Sequence, residues 1–105
     1  MMKRTLAGVL LAAATMVASA AHAEQKTFFW ISHGSPADPV WTYYLAGAEQ
    51  WAKDTGNKVN TSFHNGDVPS EQEAVRAAIA AGADGIVAAS PQQGALVELV
   101  KEARA

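Results

Sequence analysis

From residue 27 onward, apolar and polar positions switch back and forth between a period of two and a period near 3.6. Thr27-Phe-Phe-Trp-Ile31 is a short aromatic and β-branched run and predicts a first strand. Asp38-Pro39 then opens a helix over about residues 40–55. Asp38 is placed to accept orphan N–H groups as N-cap, and Pro39 at the first helical position has no donor to waste. Trp41, Leu45, Ala48 and Ala52 form its apolar stripe, and Gly56 closes it where a left-handed residue is wanted. A second strand runs over about 58–63, with Val59, Thr61 and Phe63 alternating against Asn60 and Ser62. Ser70 followed by Glu73 reads as a capping box for a second helix, whose stripe is Val75, Ala78, Ile79 and Gly82. Gly85-Ile-Val-Ala-Ala89 is an uninterrupted apolar strand. A third helix covers about 94–103, with Leu96, Leu99, Val100 and Ala103 inward.

The order is β-α-β-α-β-α with connections too long for hairpins, which predicts an α/β fold with a parallel sheet. Strands one and three are apolar throughout, as expected for burial on both faces, whereas strand two alternates as a less covered edge does. Right-handed crossovers then favour the order 2-1-3, the start of a three-layer doubly wound sheet. A fourth strand is expected just past Ala105, where strand three would otherwise stay an apolar edge. The domain organisation expected is therefore a leader over 1–23 and a partial N-terminal lobe over 24–105, truncated before strand four.

The leader is expected because Lys3 and Arg4 precede an uncharged run from Leu6 to Val17, too short at about a dozen residues to span a bilayer. Ala21-His22-Ala23 then has small residues where a signal peptidase reads, predicting cleavage after Ala23 and a periplasmic product. The absence of Cys at that point excludes a lipoprotein. The chain has 105 residues, with eight Lys and Arg against ten Asp and Glu. Losing Lys3 and Arg4 makes the mature product more acidic, with no basic stripe and no reason to expect a nucleic-acid partner. With no Cys in the chain, there is no disulfide scaffold and no thiolate zinc site.

In an open α/β sheet, ligands sit outside the carboxyl ends of the strands. Three loops fall there, and they offer His33, Ser35, Asp38, His64, Asn65, Asp67, Ser90, Gln92 and Gln93, with Trp41 one turn into helix one. The set is rich in neutral hydrogen-bonding groups and has no Lys or Arg, as a polyol or sugar would want, and an aromatic face suits the C–H side of a ring. Each has a plainer reading as well. Asp38 is a helix cap, Asp67 solvates a turn, and Ser90 with Pro91 makes a strand-to-helix turn. Trp41 fits either the buried stripe or a stacking platform, Trp30 fits core, and Trp51 and Tyr44 fit packing on the flank of the helix. His33, His64 and Asp67 make a weak metal set lacking a further ligand. No G-x-S-x-G elbow, G-x-G-x-x-G or P-loop occurs. No metal and no cofactor is expected.

The run Trp30-Ile-Ser-His-Gly-Ser-Pro-Ala-Asp-Pro-Val-Trp41, followed by Gly47-Ala-Glu49, Asn65-Gly-Asp67, Gln72-Glu-Ala74 and Ala83-Asp-Gly-Ile-Val-Ala-Ala-Ser-Pro91, resembles the type I periplasmic sugar-binding proteins. These are the ribose- and galactose-binding-like solute receptors of ABC importers. The resemblance covers essentially all of the chain after the leader. It implies a substrate-binding component that closes two lobes on a monosaccharide or related small polar ligand and delivers it to an ABC permease in the inner membrane, without chemistry. The whole protein is then expected to be monomeric. The resemblance also implies that Trp41 falls where an aromatic meets the sugar ring, Asp38 where a polar side chain binds a hydroxyl, and Ser90 in a loop bordering the cleft. Extra residues around His33-Gly34-Ser35 depart from the family pattern. The alternatives are a sensor or chemoreceptor partner for a sugar-like signal, and an exported α/β enzyme centred on His33, His64 and Asp67.

Overall fold

The structure, a computed structural model, describes residues 24–105; the expected leader and its cleavage after Ala23 lie outside the described residues. Six elements follow one another: β1 (Thr27–Ser32), α1 (Pro39–Thr55), β2 (Lys58–Phe63), α2 (Val68–Ala80), β3 (Gly85–Ala89) and α3 (Val97–Arg104). The three strands are parallel in the order β2-β1-β3, as the pattern predicts. Phe28 lies opposite Val59 on one side and Gly85 on the other, and Ile31 opposite Ser62 and Ala88.

Side chains of β1 alternate between two very different faces. Ile31 and Phe29 point toward α2 and α3, where Ile31, Val75, Ala78 and Leu99 form the buried core with Ile79, Ile86 and Leu96 around it. Full burial of each large aliphatic here is worth about 1.5–3 kcal/mol. Phe28 and Trp30 point toward α1. There Trp30 meets Phe63 and Trp41 edge to face, and Phe28 meets Trp51 the same way at 5.0 Å. The α1 stripe faces the sheet as its spacing requires, but no residue of α1 is fully buried.

The amino ends of the strands are pinned by side chains. Thr27 donates its N–H to Asp84 Oδ2 at 2.8 Å, and Asp84 returns its own N–H to the Thr27 carbonyl. Lys26 donates to Asn57 Oδ1. These bonds satisfy backbone groups where each ladder starts.

Five expectations are corrected. The second helix starts at Val68 with Asp67 as its N-cap, accepting from the Ser70 N–H at 3.2 Å. Asp67 therefore takes the role expected of Ser70, because this places Pro69 inside the first turn, where its missing donor costs nothing. Glu73 pairs with Arg76 instead of closing a capping box. Gly82 lies past the helix in a left-handed turn, φ 71°, outside the buried stripe. The third helix starts only at Val97, after a run of turns over residues 91–96. Finally, β3 is apolar yet not covered on both faces: Val87 is 59% exposed, since α1 lies over β1 and β2 and not over this edge.

Candidate functional site

The three predicted loops all lie at the carboxyl ends of the strands, and backbone bonds stitch the first two together. The His64 N–H donates to the Ser32 carbonyl, Asn65 to Gly34 at 3.0 Å, and Gly66 to His33 at 2.7 Å. Asn65 and Gly66 reach these acceptors by adopting left-handed backbone, φ 51° and 77°, which Asn and Gly tolerate best. The Gly34 N–H donates to the buried Ser32 hydroxyl at 2.9 Å. Gly34 is also the one place where a side chain cannot be added in this loop, because a Cβ there would run into the Trp41 indole.

His33 spans the gap between β1 and β3. Its Nδ1–H donates to the Ala89 carbonyl at 3.0 Å, and its ring meets Trp41 at 4.9 Å and 74°. Trp41 is half-buried and makes further ring contacts with Trp30 and, at 5.7 Å, Tyr44. A depression of about 200 Å³ opens beside it, lined by Trp30, Ser32, Trp41, Tyr44, Val87 and Ala89.

The other predicted residues lie on the rim. Asp38 is exposed and caps α1, Oδ1 accepting from the Val40 N–H at 3.0 Å. Ser35 accepts from the Ala37 N–H. Asp67 is exposed at the start of α2. Ser90 donates weakly to the Gln92 carbonyl at 3.3 Å, and Gln92 projects into solvent. Ser90 and Gln92 border a second depression of about 350 Å³ with Gly94, Val97 and Lys101. His33, Ser35, Asp38 and Trp41 thus share one loop and helix start, while Ser90 and Gln92 hold the β3 side and Asp67 the β2 side.

His64 does not face the other histidine as a metal pair would. Its Nε2 lies 2.8 Å from Ser62 Oγ and its Nδ1 2.6 Å from Ser70 Oγ. Hydroxyls donate or accept, so the ring is satisfied in either tautomer. Among the described residues no three His, Cys, Asp or Glu side chains come together as a metal-holding group.

One residue near this site had no place in the sequence reading. Glu71, in the first turn of α2, is 1% exposed, and neither carboxylate oxygen has a hydrogen-bond partner among the described residues. Burial raises its pKa above the ordinary glutamate value, and the charge of His33 lowers it again in part. An unpartnered buried carboxylate is costly, so the neutral form is favoured. The available signal was positional: Glu71, Val75 and Ala78 follow the i, i+4, i+7 stripe, so the acid stands where an apolar residue belongs.

No protein-family model matches the chain, and no curated protein matches it significantly. Among solved structures, the chain is similar to one described as an ABC sugar transporter (periplasmic sugar binding protein) from Legionella pneumophila, with 27% identity and a TM-score of 0.70. The likeness covers 76% of this chain and 30% of that one, so the chain spans less than a third of its length. The fold matches part of a periplasmic binding protein, three parallel strands in the order 2-1-3 with their helices.

Proposed function

We propose that the chain belongs to the substrate-binding component of an ABC importer, which binds a sugar in the periplasm and hands it to the permease. The observation that carries this is the joint one. A hydrogen-bonding rim without Lys or Arg, with an aromatic at its root, sits at the carboxyl edge of a 2-1-3 parallel sheet, and a fold match at 27% identity leads to a sugar receptor. In this reading the mature chain from Glu24 forms part of the N-terminal lobe. Trp41 offers its free indole surface to the sugar ring, and Asp38, Ser35, Ser90, Gln92 and Asp67 offer oxygens and amides to hydroxyls, with His33 at the base. Asp38 and Asp67 each keep oxygen lone pairs beyond the cap bond they make. A ribose- or galactose-like specificity is the finer form of the same proposal.

The test is calorimetric titration of the full-length protein with D-ribose, D-galactose, D-glucose and D-xylose. Saturable binding with unchanged ligand recovered afterwards supports the reading. Turnover of any of them, or no heat and no thermal shift with all four at millimolar concentration, overturns it.

A further inference from the structure

His33 has bonds or ring contacts that reach all three rim segments. Its backbone carbonyl holds the Gly66 N–H of the β2–α2 loop, its ring holds the Ala89 carbonyl at the tip of β3, 56 residues away, and the same ring packs on Trp41 of the β1–α1 segment. The neighbouring Gly34 repeats the link, its carbonyl taking the Asn65 N–H. Trp41 has need of such an anchor, since α1 buries none of its own residues against the sheet. The Glu71 carboxyl, which feels the charge of His33, is enclosed and without a hydrogen-bond partner among the described residues.

We propose that His33 is a positioning residue that sets the register of the three rim loops and, through its ring, the seat of Trp41. The purpose of the device rests on the sugar-binding reading above, but its geometry does not. Two properties of the side chain do separable work. The Nδ1–H locks the β1–α1 loop to the end of β3, and the flat ring supports the indole. Asparagine keeps a donor and loses the ring, whereas phenylalanine keeps a ring and loses the donor.

The test is NMR amide exchange on the ¹⁵N-labelled full-length protein, comparing wild type with His33→Ala, His33→Asn and His33→Phe. The amides of Asn65 and Gly66 should exchange at least ten times faster in His33→Ala, while the central-strand amide of Ile31 keeps its rate. His33→Asn should bring Asn65 and Gly66 back to within about threefold of wild type, and His33→Phe should not. The Trp41 indole N–H resonance should move in His33→Ala and His33→Asn and stay in His33→Phe. Equal acceleration of Ile31, unchanged exchange at Gly66, or no rescue by asparagine would each overturn the proposal. If His33→Ala does not fold, the contrast between asparagine and phenylalanine decides alone. Adding D-ribose or D-galactose to the same samples keeps the two readings apart: the exchange pattern without any ligand shift means the loop register stands and the sugar reading falls.

Discussion

The two faces of the sheet are built from equally regular patterns and end up very differently packed. On the α2/α3 face, Ile31, Val75, Ala78 and Leu99 close into a buried core. On the α1 face, a stripe of Trp41, Leu45, Ala48 and Ala52 with the correct spacing stays half-buried, and Tyr43 at 79% exposed stands clear of the sheet. The difference is one of cover. Two helices share the first face and one serves the second, and that one leaves Val87 of β3 bare. Periodicity decides which side of a helix turns inward, while the number of layers above it decides how much water leaves.

The largest effect that would test this contrast is in the core. Ile31→Ala should cost about 2–5 kcal/mol by chemical denaturation, the range for emptying a closed aliphatic site. Leu45→Ala on the other face should cost about 1 kcal/mol, since less area is withdrawn from water. Similar losses for both would erase the distinction between the faces.

Binding sharpens the comparison from the open side. Trp41→Ala should weaken sugar affinity by about 1–3 kcal/mol, read by calorimetry, as loss of a stacking surface does. An unchanged dissociation constant would leave Trp41 as packing only.

On the closed side, Glu71 is the anomaly. Its folded pKa is raised by burial, so the folded state binds the proton more tightly than the unfolded chain. The resulting stability is fully present below the ordinary value of 4.5 and is lost as pH rises through the folded pKa. Glu71→Gln should therefore stabilise the protein at pH 7.5, on the order of 1–3 kcal/mol, and change little at pH 4. Equal melting shifts at both pH values would show that charge is not what makes this position costly.

The smallest effects concern the helix starts. Asp38→Ala and Asp67→Ala each remove one side-chain cap and should each cost about 1 kcal/mol in thermal melts. Because the caps are alike on the two faces, a large inequality would mean that one aspartate has a second structural task.

Most of the architecture was legible because it is written locally. Alternation in Lys58–Phe63, the apolar run Gly85–Ala89 and the stripe of α1 each fix an element, and crossover handedness then orders the strands. The start of α2 was misplaced because Asp67 and Ser70 are both good caps, and only the place of Pro69 distinguishes them. The loops of the site were legible from the strand ends. Their fastening was not: a bond from the His33 ring to the Ala89 carbonyl has no local signature, and a buried Glu71 contradicts the usual cost of an unpartnered carboxylate. Long-range polar contacts of this kind are set by the packed geometry and leave no periodic trace.

The aromatic side of the sheet has an optical consequence. The chain has three tryptophans, and Trp30, Trp41 and Trp51 all lie between the sheet and α1. The face formed by α2 and α3 holds none. Intrinsic emission is therefore a one-sided reporter, sensitive to the loosening of α1 and to any ring docked on Trp41, and silent while Ile31, Val75 and Leu99 separate. Far-ultraviolet dichroism, which sums all three helices, would register that second event, so the lag between the two signals measures how independently the faces come apart.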